Sequence, residues 1–332
     1  MRRFFVTLVF GFLALAGSAY VVLNSGWFYT KILPRVAFGI VKNFQIQSFQ
    51  SEKYNFRFPF RLNLENVKCL ARINGLSHKI SCRQISLYSV SFHQVKGVVS
   101  KLDVETPLYR AQGFDVVALA DFNAKGIRQL DGTLSGSQAS FLDYEARRIS
   151  SLVKGDNEKI WFVDLAADFY AGKVNGDIFL DYAHQMSYSI TMFLTGVDLE
   201  RLRSVNDGVF SQIQGHLNGV VKLAGDMKTV SSIEASLDVP VGGKLKASLL
   251  GFIVQYIPQS TQRKELEGLI KTNGDVPFEQ GNIRLKNLTS EKLATEIGLK
   301  SAKFNLDLNL GVDINIEGGL ESLLRHAGNL TK

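Results

Sequence analysis

Hydrophobic and polar residues alternate along most of the chain after residue 45. In the clearest run, residues 304–317 (FNLDLNLGVDINIE), Phe, Leu, Val and Ile occupy every second position. Successive side chains of a strand point to opposite faces of its sheet, so strict alternation predicts strands with one buried and one solvated face. Shorter runs of the same kind predict strands over 174–182, 188–194, 217–223 and 233–239.

Short breaks separate these runs, and most of them contain Gly with Asn or Asp, as in residues 155–157, 225–226 and 273–275. Such dipeptides are typical of tight turns. Because a tight turn joins antiparallel neighbours and cannot join parallel ones, the pattern predicts an antiparallel meander of about fifteen strands.

Only a few segments have helical periodicity. Residues 198–205 open with Asp198 as a helix cap, residues 244–257 stop at Pro258, and residues 321–326 allow a last short helix. Two or three short helices cannot cover the apolar face of so large a sheet. That face must therefore be packed on itself, as in a sandwich or closed barrel, or form an open trough that acyl chains fill. Alternation does not separate these outcomes.

The N-terminus carries a membrane signal. Arg2 and Arg3 precede twenty uncharged residues, 4–23, which as a helix would span about 30 Å of hydrocarbon. The basic residues predict a cytoplasmic N-terminus and an extracytoplasmic body. A cleavable signal peptide, with small residues at 14–19, is the alternative. The predicted organisation is an anchor (1–26), a juxtamembrane segment (27–44) and a long β domain (45–330).

Charge excludes one class of partner. The 332 residues include 38 Lys and Arg against 31 Asp and Glu, a net charge of +7. Without Arg2 and Arg3 the balance falls to 36 against 31, or +5, with no basic block of the kind that follows a phosphate backbone. We therefore expect no nucleic-acid partner. We also expect no enzyme activity, cofactor or metal, because no nucleotide-binding, nucleophile-elbow or metal-ligand motif is present.

The two cysteines, Cys69 and Cys82, flank a plausible turn at 74–78. If the flanking strands form a hairpin centred between Gly75 and Leu76, the two cysteines face each other. A disulfide in an oxidising compartment and two free buried thiols are then both consistent with the sequence.

The middle of the chain resembles a known family. Residues 169–180 (FYAGKVNGDIFL), the strand 187–194 and the segment 195–202 (TGVDLERL) look like the AsmA-like C-terminal region, and 215–225 (GHLNGVVKLAG) resembles its next element. The similarity extends over about 110–320. It implies a bacterial inner-membrane protein, anchored by one helix and mostly periplasmic. Its long curled antiparallel sheet would shield lipid tails in transit between membranes.

From this we expect a non-enzymatic protein that binds and transfers phospholipid or a similar amphiphile, with other envelope proteins or copies of itself as further partners. The alternative is a scaffold for envelope proteins with a packed interior. The candidate lipid-contacting residues are the apolar positions of the predicted strands, each of which could equally be ordinary core: Val174, Ile178, Leu180, Ile190, Met192, Leu194, Leu217, Val221, Leu223, Ile233, Leu237, Phe304, Leu306, Leu308, Leu310, Val312, Ile314 and Ile316.

Overall fold

The fold consists of two compact units. A computed structural model describes residues 44–57, 61–73, 76–107, 109–123, 126–141, 144–181, 187–202, 213–226, 230–255, 258–272, 274–289, 292–302 and 306–315. Unit 1 comprises the described residues up to Phe141 with Val153–Asn157, and unit 2 comprises those of Leu142–Leu152 and from Glu158 onward. The division runs through a strand, so no linker in the sequence marks it within the predicted domain 45–330.

Strands make up most of the described residues, which confirms the predicted mainly β class. Unit 1 contains β1 (Phe44–Gln50), β2 (Lys53–Arg57), β3 (Arg61–Ile73), β4 (Leu76–Ser89), β5 (Gln94–Glu105), β6 (Tyr109–Asn123) and β7 (Gly126–Phe141). Strand β8 (Tyr144–Gly155) begins in unit 2, and its residues from Val153 onward belong to unit 1. Unit 2 continues with β9 (Lys159–Phe169), β10 (Gly172–Asp181), β11 (Ser187–Asp198), β12 (Ile213–Gly225), β13 (Val230–Val239), β14 (Gly243–Leu245), β15 (Val276–Phe278), β16 (Gln280–Thr289), β17 (Lys292–Ser301) and β18 (Leu306–Asn315).

The strand pairing is antiparallel, as the short breaks predict. In unit 1, β3 pairs with both β1 and β2 along one edge, and β3 to β7 then pair in chain order. In unit 2, the order of paired strands is β9, β10, β11, β12, β13, β16, β17 and β18. The short strands β14 and β15 pair with each other, and β14 also pairs with the start of β12.

Three short helices lie in the described part of unit 2: α1 (Leu199–Leu202), α2 (Ala247–Val254) and α3 (Thr261–Lys271). The carboxylate of Asp198 accepts hydrogen bonds from the backbone N–H groups of Glu200 and Arg201 at 2.9 and 3.4 Å, which confirms its predicted role as a helix cap. Helix α2 is shorter than the predicted 244–257 because its first residues form β14. Sequence reasoning missed α3, which has few apolar residues.

Several predictions lie outside the described residues. They are the membrane anchor (1–26), the juxtamembrane segment as far as residue 43, and the helix at 321–326. Among the residues that the structure does describe, none of the helices has both the length and the apolar character needed to cross a bilayer.

A repeated β-bulge interrupts the alternation of the long strands. At Gly196, where φ is +65°, strand β11 has an extra residue opposite Asn218, and the side-chain oxygen of Asn218 accepts the Gly196 N–H at 2.7 Å. The extra residue shifts the alternation by one, so that Leu194 and Val197 lie on the same face. Three other bulges have a positive-φ residue capped in the same way by the Asp opposite it: Lys101 by Asp115, Gly113 by Asp103, and Asp164 by Asp177.

We predict that Asn218→Ala lowers the free energy of unfolding by about 1–2 kcal/mol, because the part-buried Gly196 N–H then loses its acceptor. Asn218→Asp, which keeps an acceptor oxygen, should cost clearly less. Urea denaturation followed by tryptophan fluorescence measures both. Equal losses in the two variants would contradict a capping role.

Candidate functional site

The strand register places the candidate residues of β10 to β13 on one face of the unit 2 sheet. Ile178 lies opposite Ile190, which lies opposite Leu223, which in turn lies opposite Ile233. The remaining candidates of these strands occupy neighbouring rows of the same face. Val174 lies opposite Leu194, and Met192 lies opposite Val221. The other three lie opposite residues that were not candidates: Leu180 opposite Tyr188, Leu217 opposite Val197, and Leu237 opposite Gly219. We call this surface of β9 to β13 and β16 to β18 the apolar face.

The apolar face continues beyond the residues that the sequence singled out. Leu237 lies opposite Ile283, and Ile283 lies opposite Ile297. Sequence reasoning missed Ile283 and Ile297, because Asn287 and Thr295 break the alternation of β16 and β17. A period-two count that tolerates one polar residue per strand would have found both strands.

Strand β18 forms the last part of the apolar face. Its backbone register places Leu310 opposite Ile297 and Leu308 opposite Leu299, at positions that continue the apolar face. Leu306, Val312 and Ile314 occupy further positions of the same parity, so the backbone register assigns them to the same face of the strand. Phe304 and Ile316 lie outside the described residues, so the strand is shorter than the predicted 304–317.

The opposite face of the same sheet carries charged side chains, although it also contains Phe193, which is 51% exposed. Ion pairs cross it between neighbouring strands, from Lys222 to Glu234 at 3.5 Å and from Lys300 to Asp307 at 3.6 Å. All four side chains are more than half exposed, so these pairs add little stability and mark the face as solvated. The sheet of unit 2 is therefore amphipathic, with one face available for apolar contacts.

One end of the apolar face is covered by the helices. Val197, Leu217, Val239 and Leu299 are buried in a core cluster that also contains Leu202 of α1, Leu250 and Val254 of α2, and Leu266 of α3. Leu250 is fully buried. At this end the face is ordinary protein core, and the candidate Leu217 is a core residue.

The rest of the apolar face is less well covered. Six candidates in its middle are half-buried and lie outside the buried core clusters of the described residues: Val174, Ile178, Leu180, Ile190, Met192 and Val221. Ile233 belongs instead to a small buried cluster with Val230 and Leu293, against which Leu223 packs. Leu194 and Leu237 are half-buried and pack against the helix-covered core. The structure thus separates the candidates into core residues and a partly exposed apolar strip.

Among the described side chains of this face, one hydroxyl has no hydrogen-bond partner. Thr295 lies opposite Leu285 and Val312 and is 7% exposed, and its side-chain oxygen is buried without a partner among the described residues. A buried hydroxyl that makes no hydrogen bond is unfavourable by about 1–3 kcal/mol. The unpaired Thr295 hydroxyl therefore lowers the stability of this part of the sheet.

We predict that Thr295→Val raises the free energy of unfolding of the ligand-free protein by about 1 kcal/mol, because Val has the same shape and no hydroxyl to desolvate. Thermal denaturation of both proteins tests this. A loss of stability in the variant would show that the hydroxyl has a partner after all.

The cysteines lie in unit 1 and do not face each other. Ile73 pairs with Leu76, so Cys69 pairs with Ile80 and Cys82 pairs with Val67. The predicted hairpin centre is therefore wrong by one residue. As a result, the two cysteines lie on the same face of the hairpin but diagonal to each other. Both are free, buried thiols. Burial raises the pKa of Cys69 and raises that of Cys82 to about 11, with the Asp103 charge adding to the second shift and a Val67 backbone hydrogen bond opposing it.

This predicts slow alkylation of the native protein. With a pKa of about 11 instead of 9.0, Cys82 has about a hundredfold less reactive thiolate at pH 8. Iodoacetamide should label neither cysteine readily in the native protein and should label both after denaturation without reductant. Failure to label both denatured cysteines would demonstrate a disulfide instead.

Chemistry other than apolar contact is sparse in the described part of the chain. No three His, Cys, Asp or Glu side chains gather there as metal ligands. No protein-family model, curated protein or solved structure matches the chain. The resemblance to the AsmA-like family therefore stays a prediction, and the site has to be judged from its own geometry.

Proposed function

We propose that the protein binds the acyl chains of a phospholipid or similar amphiphile on the apolar face of unit 2 and transfers the molecule without chemical change. In this proposal, residues 4–23 anchor the chain in a bacterial inner membrane, and the β units lie in the periplasm, where they support envelope biogenesis. The resemblance of residues 169–226 to the AsmA-like region supports the same function.

One observation carries the proposal: the apolar strip around Ile178, Ile190 and Met192 is continuous across strands and only half-buried. Its side chains gain from further burial at about 25 cal/mol per Å², or roughly 0.8 kcal/mol for each methylene group they cover. Isolated apolar residues on a surface need no explanation, but a continuous strip backed by a solvated face suits an apolar guest.

The size of the apolar face suits such a guest. Eight strands at about 4.8 Å spacing extend roughly 38 Å, longer than one acyl chain and shorter than a periplasm. We also propose that the sheet bends, so that the apolar face forms a groove around the acyl chain. Transfer over a greater distance would need a partner or further copies of the chain.

A scaffold function is the second candidate, and the helix-covered end supports it. There, the cluster around Leu250 shows that this face also makes ordinary core. If the strip were covered by protein in the same way, the unit would be a packed body without cargo. Strand addition at a sheet edge would then be its means of binding envelope proteins.

The test uses the full chain, purified from membranes in a mild detergent, and mass spectrometry of its bound lipids. We predict that the protein carries phospholipid and that Ile190→Asp reduces the bound amount at least fivefold, because a carboxylate on the apolar strip opposes acyl contact. Thr191→Asp is the matched control, since the next residue of the strand points to the opposite face.

The two candidates give different outcomes. A photocrosslinking residue at 192 should label lipid in cells and one at 193 should not, because these positions lie on opposite faces of β11. Protein adducts at both positions, with no lipid in the purified protein, would overturn lipid binding and favour the scaffold.

A further inference from the structure

Unit 1 contains a cleft of about 530 Å³ on the polar face of its sheet. Two neighbouring rows of cross-strand residues form its floor. One row runs from Gln50 through Lys68 and Ser81 to Asp103, and the other includes Lys79, Glu105 and Arg110. Most of the side chains are hydrogen-bonding groups, so the cleft suits a polar ligand.

Bulges surround the cleft. The register shifts in β1 between Ile46 and Ser48, and twice in the pairing of β5 with β6, where Lys101 and Gly113 are the extra residues. Each bulge bends its strand and increases the local twist. A flat polar sheet surface offers no enclosure, and bending at these positions accounts for the concavity.

The charges in the cleft do not balance. Glu105 is shared by two cations, with Arg110 at 2.7 Å and Lys79 at 3.9 Å, and these neighbours hold the pKa of its carboxyl below the ordinary range. One oxygen of Asp103 accepts the Gly113 N–H. Among the described residues, no carboxylate lies within ion-pair distance of the Lys68 ammonium. Three cations therefore face two carboxylates.

We propose that this cleft binds a phosphate ester, with Lys68, Lys79 and Arg110 as its cationic contacts. The phosphate oxygens replace the Glu105 carboxylate as partner of Arg110 and Lys79, and Lys68 gains a first counter-charge. Replacing the Glu105 carboxylate costs little free energy, because exposed ion pairs of this kind contribute little to folding stability. Gln50 and Ser81 offer hydrogen bonds to the hydroxyl groups of the ester. The site lies within unit 1 and does not depend on acyl binding by unit 2.

Phosphate could come from a soluble ester or from a lipid headgroup, and two probes separate these sources. Isothermal titration calorimetry with glycerol 3-phosphate at low salt tests the soluble ester on the full chain in nonionic detergent. Cosedimentation with phosphatidylglycerol vesicles, compared with phosphatidylcholine vesicles, tests the anionic headgroup. Saturable binding of either probe supports the site and names its source.

Three variants test the residues. Lys68→Gln should weaken binding about tenfold, since it removes a charge-assisted contact. Glu105→Gln should tighten binding severalfold, because it releases two cations, and a gain cannot arise from misfolding. Lys173→Gln is the control, because Lys173 is also an exposed lysine but lies in unit 2. The proposal is overturned if neither probe binds, if Lys173→Gln weakens binding as much as Lys68→Gln, or if Glu105→Gln leaves affinity unchanged or weaker.

Discussion

The structure depends on covering the apolar face of a large sheet, for which the described residues supply only three short helices. An antiparallel sheet stabilises itself through its ladders and through the burial of one face, and that face must meet something apolar. In unit 2 the helices α2 and α3 meet this need only at one end, around Leu217 and Leu299. The half-buried strip that remains is where an external molecule can contribute contacts that the described part of the chain does not make.

Alternation in the sequence was sufficient to predict the class, the antiparallel pairing and the shared face of the β10 to β13 candidates. Alternation is informative because the apolar and polar positions of each strand show which of its residues share a face. The register between neighbouring strands then follows from short turns such as the one after Phe169. It did not distinguish Leu217, which the helices cover, from Ile190, which they leave half-buried. Whether a strand residue is covered depends on which distant element packs on its face. The sequence of α3 contains so few apolar residues that it does not reveal this packing.

The bulges explain the other differences between the sequence pattern and the structure. A bulge moves the pattern by one residue, so a strict period-two reading of β11 would put Leu194 and Val197 on different faces, while the structure puts them on one. The signal for a bulge is non-local as well, because it is a Gly or other positive-φ residue together with an Asp or Asn on the neighbouring strand. The cysteine register failed for a related reason, since a shift of one residue in a turn moves every pair in the hairpin.

The bulge caps differ in their chemistry, and the difference matters under acid conditions. The backbone hydrogen bond from Lys101 is the main reason that the pKa of the Asp115 carboxylate lies below its ordinary value of 3.8. The contribution of this cap to folding stability is therefore complete above pH 3.8. It is lost as the pH falls through the lowered pKa of the folded protein. The cap at Gly196 is the amide of Asn218, which carries no titrating proton. Strand β11 therefore keeps its own offset at acidities where a carboxylate cap such as Asp115 releases its strand.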